Sequence, residues 1–439
     1  MTKIKFEKSS SEIFNQPVGL FTLFFTELWE RFSFYGMRAI LVLYLVSDSD
    51  MENPGLGWSN SDAIWLYGWY TALVYLACIP GGIIADKYLT NKKAVSVGGA
   101  LLCLGHLSLA LKTYFFFYFG LSLIILGVGL LKPSISSLVG SLYEKNDLRR
   151  DQGFTIFYIG INIGAFFASI LVGYVGENFG WHYGFSLAGF GMIIGQICFL
   201  TGHKNIKDNK QKNFNLNFDI KFSKVETDRI KLIILASFIL IIFWASFEQA
   251  GGLLNLYAYQ KTDRFIPYLN FEVPASWFQS INPLLIIILG FTVSSFWLNI
   301  QKTNQSLSML KMSVGIIIMG FGFLFMAFAS NEADIFGKSQ MYWLVLAYLF
   351  HTVGELCASP VALSFITKLS PKQFVASVMG IYFAAIGIGN KIAGLIGQYS
   401  EKLGEKTIFI SITVVCTFVG VTVIFFQKRL NKLAHGADK

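Results

Sequence analysis

The chain has 439 residues, of which 54% are hydrophobic and only 14% are charged. Soluble domains carry about 25% charged residues, so the composition excludes an ordinary soluble domain and indicates a polytopic membrane protein. The formal charge of +9 could suggest a nucleic-acid partner, but we expect none because the basic residues follow a membrane topology.

The hydrophobic pattern predicts an all-α membrane protein with twelve spanning helices. Each apolar run is long enough to cross about 30 Å of hydrocarbon as a helix. The predicted spans are 18–46, 62–86, 93–112, 114–142, 154–176, 182–201, 230–258, 275–299, 309–330, 340–367, 373–398 and 405–427.

The distribution of lysine and arginine predicts that both termini are cytoplasmic. With the N-terminus inside, the inside segments and the inner ends of spans hold 25 of the 35 basic residues, and four lie deep within spans. An excess of basic residues marks the cytoplasmic loops of membrane proteins. The six remaining basic residues, in outside loops or at the outer ends of spans, are Lys112, Lys261, Arg264, Lys338, Lys402 and Lys406.

A polar, Lys- and Asn-rich segment follows the sixth span. It predicts an N-terminal bundle of six helices at 1–202, a cytoplasmic linker at 203–229 and a C-terminal six-helix bundle at 230–439. Six plus six spans is the layout of the major facilitator superfamily, in which each half contains inverted repeats. "GGIIADKYLTNKK", with Gly82, Asp86, Lys92 and Lys93, resembles the loop 2–3 motif of that superfamily.

Eight acidic or basic side chains, counting Asp, Glu, Lys and Arg, lie deep within predicted spans. Each costs at least about 2.5–3.5 kcal/mol at the centre of a membrane helix, and such residues are tolerated where they pair or face a wet cavity. They are Glu27, Glu30, Arg31, Arg38, Lys132, Glu248, Glu355 and Lys391.

Span 1 is amphipathic. At about 100° per residue, Glu27, Glu30, Arg31, Tyr35 and Arg38 share one side of the helix. We therefore expect this side to line a polar path through the protein.

Polar residues in five other spans extend the pattern. The first half supplies cations and carboxylates, whereas spans 7 and 10 supply carboxylates only, so a cavity between the halves would suit a small zwitterion. The alternative is that the charges form internal salt bridges that merely lock the halves, although buried pairs rarely add net stability. The residues concerned are Lys132, Asn162, Trp244 with Glu248, Asn282, and His351 with Glu355 and Ser359 at i+4 spacing.

Several segments resemble the proton-dependent oligopeptide transporter (POT) family. "ELWERFSFYG" is similar to the E-x-x-E-R-F-x-Y-Y motif on helix 1 of that family. "GLLKPSISSLVG", "FYIGINIGA", "FWASFEQAG", "SINP" and "GELCASPVALS" are similar to its helix 4, 5, 7, 8 and 10 segments. The resemblance covers nearly the whole chain.

The resemblance implies roles for individual residues. The peptide carboxylate would be held by Arg31, Tyr35 and Lys132, and the peptide amino terminus by Asn162, Asn282 and Glu355. The pocket would be lined by Tyr75, Trp244, Ser359 and Tyr382. Proton coupling and gating would depend on Glu27, Glu30 and Glu248, the last paired with Arg38.

Three residues depart from the family pattern. Phe34 replaces the first Tyr of the motif, Ser134 stands where Asn is common, and Tyr382 stands where a Trp commonly lines the pocket. Many bacterial relatives also insert two helices between spans 6 and 7, where this chain has only the linker. These departures leave the side-chain preference of the site open.

The resemblance implies a proton-coupled symporter that imports di- and tripeptides by alternating access. We expect a monomer in the plasma (inner) membrane, surrounded by lipid, with protons as the coupling ion and no other cofactor or metal. The same fold could instead carry an amino acid, a peptide-like compound or nitrate, could exchange drugs for protons, or could sense peptides without moving them. The sequence contains no catalytic triad, zinc motif or Walker sequence, so we do not expect an enzyme.

Overall fold

The structure is a computed structural model that describes residues 12–144, 147, 149–206, 223–300, 307–371 and 375–437. Most of the predicted linker, at 207–222, lies outside the described residues. We call residues 12–206 the N-half and residues 223–437 the C-half.

The described chain is nearly all helical. Its three two-stranded pairings are β1 (Glu12–Ile13) with β2 (Gln16–Pro17), β3 (Thr262–Asp263) with β6 (Ser339–Gln340), and β4 (Phe265–Ile266) with β5 (Phe271–Glu272). The helices are α1 (Val18–Val46), α2 (Asn60–Leu76), α3 (Cys78–Lys87), α4 (Asn91–Leu109), α5 (Tyr114–Ser141), α6 (Arg149–Phe179), α7 (Trp181–Gly202), α8 (Lys224–Phe247), α9 (Leu253–Lys261), α10 (Ile281–Ile300), α11 (Ser308–Phe336), α12 (Met341–Leu369), α13 (Val375–Gln398), α14 (Ser400–Leu403) and α15 (Glu405–Leu433).

Ten helical stretches of the described chain are long and apolar enough to cross a membrane. Short helices merge into some of them, as α2 and α3 do in Asn60–Lys87. Two predicted spans are not among the ten: α1, which carries four charged residues, and α4, which begins Asn91-Lys92-Lys93. With these two helices the ten stretches account for all twelve predicted spans, and the predicted all-helical membrane fold is confirmed.

Small residues allow the two halves to pack closely where α2 meets α13. A Cβ atom on Gly68 would lie only 2.7 Å from the Cα atom of Gly394. Glycine permits such close backbone contact between membrane helices. At this point the α2–α13 seam is therefore a contact of backbone against backbone.

The predicted seventh span is interrupted. Helix α8 ends at Phe247, a 3-10 turn covers Glu248–Ala250, and α9 begins at Leu253 after two glycines. A Cβ atom on Gly251 would overlap the Tyr67 hydroxyl and lie 2.8 Å from Arg38 Nε. The glycine is therefore required for a close approach between the halves as well as for the change of helical geometry.

Hydrogen bonds between the halves cluster toward one end of the bundle, where the segments 47–59, 262–280 and 399–404 meet. We call this the 47–59 end. There, the Asn60 and Gln260 side-chain amides bond to each other at 3.0 Å, and Asn255 Nδ2 donates to the Ala39 carbonyl at 2.9 Å. The Ser61 backbone N–H donates to Glu401 Oε1 at 3.0 Å. The structure is therefore closed at the 47–59 end.

Candidate functional site

A small cavity lies between the halves, near the middle of the helices. Its volume is about 100 Å³. Helices α1, α2 and α6 form its N-half wall, and the C-half wall comes from α8, the break after it, α10, the segment before α10, and α12. Eight of the predicted site residues line it: Tyr35, Arg38, Tyr75, Asn162, Trp244, Glu248, Asn282 and Glu355.

Six other predicted site residues do not line the cavity directly. They are Glu27, Glu30, Arg31, Lys132, Ser359 and Tyr382. Two of these lie one residue behind the wall: the Lys132 ammonium sits 4.1 Å from the centroid of the Tyr75 ring, and the Arg31 guanidinium lies 5.8 Å from that of Tyr35.

A buried charged cluster forms on α1. Arg31 Nη2 donates to Glu30 Oε1 at 2.7 Å, Arg31 Nε pairs with Glu30 Oε2, and Arg31 Nε lies 3.3 Å from Glu27 Oε1. The Arg31–Glu30 contact is bidentate, the strongest arrangement for these groups. Oxygen Oε2 of Glu27 has no hydrogen-bond partner among the described residues. The cluster holds two carboxylates against one guanidinium.

The second charged cluster joins the halves. Arg38 Nη2 lies 3.2 Å from Glu248 Oε1, and the Tyr67 hydroxyl donates to the same oxygen at 2.5 Å. Tyr67 also accepts a hydrogen bond from Arg38 Nε at 2.7 Å. All three side chains are buried. Arg38 and Glu248 therefore interact both directly and through the Tyr67 hydroxyl.

Tyr67 is absent from the residues predicted from the sequence. A phenol in a span rich in aromatic residues carries no charge signal. The sequence gives one clue, the position of Tyr67 on the same helix face as a predicted site residue. Tyr67 lies two turns before Tyr75 on α2, and Thr71 lies between them.

The C-half wall carries a carboxylate held by an amide. Asn282 Nδ2 donates to Glu355 Oε2 at 2.8 Å and to Thr352 Oγ1 at 3.1 Å. Both Asn282 and Glu355 line the cavity. Trp244 also lines it, and its indole N–H lacks a hydrogen-bond partner in the described chain. This wall therefore offers the Glu355 carboxylate and the Trp244 indole N–H as groups that could bind a ligand.

The remaining predicted residues, Asn162, Ser359 and Tyr382, lie on α6, α12 and α13. Asn162 lines the cavity and donates from Nδ2 to the Tyr158 carbonyl at 2.9 Å. Tyr382 is buried, and its hydroxyl interacts with that of Ser359. This hydroxyl pair occupies the region where the family pattern has a Trp.

Lys391, the eighth intramembrane charge, does not line the cavity. Its ammonium lies 4.3 Å from the ring centroid of Trp69 and 5.3 Å from that of Trp65, across the α2–α13 seam. Lys391 therefore makes a cation–π contact between the halves.

The charges around the cavity have opposite signs on its two walls. Tyr35 on the N-half wall lies within the field of Arg31, Arg38 and Lys132. The opposite wall presents Glu355. A molecule with a carboxylate at one end and an ammonium at the other would complement both walls. Among the described residues, no group of three or more His, Cys, Asp or Glu could hold a metal ion.

Comparison with known proteins gives consistent results. The profile of the POT family matches residues 92–223 and 207–412. The peptide transporter YePEPT of Yersinia enterocolitica is 34% identical over 500 aligned positions, covering 96% of this chain and 97% of the relative. A di-/tripeptide transporter of Lactococcus lactis subsp. cremoris is 34% identical over 494 positions, covering 97% and 98%. Both alignments exceed the 439 residues of this chain, so each relative contains insertions relative to it.

Solved structures agree with this sequence similarity. The crystal structure of the peptide transporter POT in complex with sulfate superimposes with a TM-score of 0.89 at 31% identity, covering 97% of each chain. A POT family transporter in complex with 5-aminolevulinic acid gives 0.87 at 29% identity, covering 96% of this chain and 98% of that one. From its helices, its cavity and these relatives, the chain is a multi-pass membrane protein that belongs to the POT family, the proton-dependent oligopeptide transporters of the major facilitator superfamily.

Proposed function

We propose that this protein is a proton-coupled symporter that imports di- and tripeptides by alternating access. The observation that carries the proposal is the cavity between the halves. Arg38 lies on one wall with Arg31 and Lys132 behind that wall, and Glu355 lies on the other. Membership of the POT family and the naming of two relatives as peptide transporters support the same cargo.

The carboxylate end of a peptide would bind at Arg31, with Lys132 and Tyr35 close by. The Arg31 guanidinium is already held by Glu30 and Glu27. Adding a proton to this cluster neutralises one carboxylate and weakens its hold on the guanidinium. The peptide carboxylate then replaces it, so the proton and the peptide bind together.

The amino end of the peptide would bind at Glu355. Asn282 already orients this carboxylate, and Asn162 lies across the cavity. Only the two ends of the peptide would be held by charge. The peptide side chains would meet Trp244, Tyr75 and, in the region beyond, the Ser359–Tyr382 pair, which allows a broad range of sequences.

The Arg38–Tyr67–Glu248 contact would act as a gate. Protonation of Glu248 removes its charge and weakens the ion pair, so the 47–59 end can open. The present cavity of about 100 Å³ is smaller than the roughly 300–1,000 Å³ of typical small-molecule sites. The cavity must therefore widen to accept cargo.

The charge distribution between loops supports an orientation with both termini in the cytoplasm and the 47–59 end outside. In this orientation the structure is closed to the outside. We propose that residues 1–202 and 230–439 form the two moving bundles, that 203–229 links them on the cytoplasmic side, and that a monomer in the plasma membrane suffices.

Uptake of a labelled dipeptide into proteoliposomes with an imposed inward proton gradient tests the proposal. We expect accumulation that collapses when the gradient is removed, and competition by tripeptides but not by free amino acids or nitrate. Binding without uptake would identify a sensor, and dipeptide-independent proton-driven efflux of a drug would identify an antiporter. Either result would refute the proposal.

A second candidate is a smaller zwitterion that is not a peptide. The cavity is small, and one structural relative is described in complex with 5-aminolevulinic acid. Strong competition by 5-aminolevulinic acid, together with weak competition by dipeptides, would favour this cargo.

A further inference from the structure

A second set of contacts joins the halves at the 47–59 end, away from Arg38 and Glu248. Oxygen Oε2 of Glu177, on α6 of the N-half, accepts from the Ala275 backbone N–H at 2.9 Å. Its Oε1 accepts from the Ser276 N–H at 2.9 Å and from Ser276 Oγ at 2.5 Å. Both carboxylate oxygens are therefore engaged by the C-half segment that leads into α10.

Arg264 adds a charge to this contact. Its Nη1 lies 3.8 Å from Glu177 Oε2 and donates to the Val273 carbonyl at 2.6 Å, while Nη2 lies 2.9 Å from Glu272. The Arg264 and Glu177 side chains are only 9% and 8% exposed, whereas that of Glu272 is 59% exposed. Glu177 is thus the buried partner of Arg264 and Glu272 the exposed one, and solvent screens the pair with Glu272.

The surrounding backbone is shaped for this contact. A Cβ atom on Gly173 would overlap Ser276 Oγ and lie 2.7 Å from Ser276 Cβ. One turn earlier, the Ile170 carbonyl accepts from Trp277 Nε1 at 3.0 Å. Helix α6 therefore presents a groove at Gly173 that receives Ser276.

The contact also connects to the cavity. The 3-10 segment Ala275–Ser280 runs directly into α10, and its Gln279 lines the cavity, as does Asn282 just beyond it. On the other side, Glu177 and Arg264 line a separate cavity of about 480 Å³ at the 47–59 end. Water can therefore replace the Ala275 and Ser276 donors when the halves separate.

We propose that Glu177, Arg264, Ala275 and Ser276 form a second latch between the halves, which we call the Glu177 latch. It holds the 47–59 end closed independently of the Arg38–Glu248 ion pair. It also sets the position of the start of α10, and so presents Asn282 to Glu355. Glu177 is a positioning residue in this role, and the role rests on the alternating-access function proposed above.

Distances between spin labels test the latch without any cargo. Asp50 and Tyr268 are exposed residues of the N-half and C-half at the 47–59 end. Cysteines at these two positions, in a background with the partly exposed Cys103 and Cys198 changed to serine, carry the labels. Pulsed electron–electron double resonance measures the distance distribution between the labels, which gives the populations of joined and separated halves.

The informative variant is Glu177→Gln, which removes the charge and one of the acceptor oxygens. Hydrogen bonds to charged groups contribute enough that their loss changes an equilibrium roughly tenfold or more. We expect the ratio of separated to joined halves to rise by about that factor. Ser276→Ala removes one hydrogen bond and no charge, so it should shift the ratio less, in the same direction. It serves as the second variant if Glu177→Gln folds poorly.

Glu272→Gln is the matched control, because it removes a carboxylate bound to the same arginine but exposed to solvent. It should leave the ratio unchanged. The latch is refuted if Glu177→Gln and Ser276→Ala both keep the parent distance distribution, if Glu272→Gln shifts it equally, or if the variants only lower the melting temperature. A distance shift in a protein that fails to take up dipeptides would reject the cargo and leave the latch standing.

Discussion

Changing Tyr67 to phenylalanine should open the 47–59 end. The substitution removes one hydroxyl and keeps the ring. That hydroxyl donates to Glu248 Oε1 at 2.5 Å and accepts from Arg38 Nε at 2.7 Å, so two charge-assisted hydrogen bonds between buried groups are lost. The direct contact of 3.2 Å between Arg38 and Glu248 remains.

The magnitude follows from these contacts. A hydrogen bond to a charged group contributes about 1.5–3 kcal/mol. Because the ion pair can shorten to recover part of the loss, we expect the closed state to lose about 2–3 kcal/mol in total. At about 1.4 kcal/mol per factor of ten, this corresponds to roughly a 30- to 150-fold rise in the ratio of open to closed protein.

The spin-label pair at residues 50 and 268 measures this ratio, and proton-driven dipeptide accumulation should fall with it. Tyr70→Phe is the control. Tyr70 is equally buried on the same helix, but its hydroxyl has no hydrogen-bond partner in the described part of the chain. Equal behaviour of the two variants would refute the assignment of Tyr67 to the gate.

Three further variants test other parts of the mechanism. Glu248→Gln keeps the shape of the side chain but cannot exchange a proton, so it should abolish uphill accumulation and retain counterflow exchange of labelled for unlabelled dipeptide. Arg31→Lys replaces a two-pronged donor with a point charge, so dipeptide uptake at low concentration should fall at least about tenfold. Gly251→Ala places a methyl group against Tyr67, so it should lower the melting temperature and separate the halves, at a cost of about 1–3 kcal/mol. Gly290→Ala should do neither, since the nearest atom to its added Cβ would be 3.9 Å away.

Each of these expectations has a contrary outcome. Full uphill uptake by the Glu248 variant would remove that residue from proton coupling, and near-normal uptake by the Arg31 variant would move the carboxylate site elsewhere. Equal melting temperatures and distances for the two glycine variants would show that the break in the seventh span tolerates a side chain.

Hydrophobicity and charge sufficed to predict the fold, because a membrane imposes length and polarity on every span. They could not predict the break after α8. Residues 230–258 read as one apolar run, and only the tertiary contact of Gly251 with Tyr67 and Arg38 reveals why the helix ends there. Pro133 and Pro360, by contrast, lie within helices that continue through them.

The candidate site was predictable to the extent that its members are charged. Intramembrane charges are costly, so Arg38, Glu248 and Glu355 stand out in the sequence. Tyr67 does not, because a neutral phenol among many aromatic residues has no such cost. Glu177 and Arg264 were missed for a different reason. Both lie near the ends of helices, where charged residues are common, and only the fold shows that they are shielded from solvent.

The backbone contact between Gly68 and Gly394 in the α2–α13 seam has a mechanical consequence. Where side chains interdigitate, two helices can change register only by lifting one out of the other, and that barrier is high in a close-packed interior. Gly68 and Gly394 offer flat surfaces instead. Rotation of one bundle against the other then meets little resistance from shape. In the proposed transport cycle, the rate would then depend on a few polar contacts between the halves, each of which a proton, a water molecule or a cargo molecule can weaken.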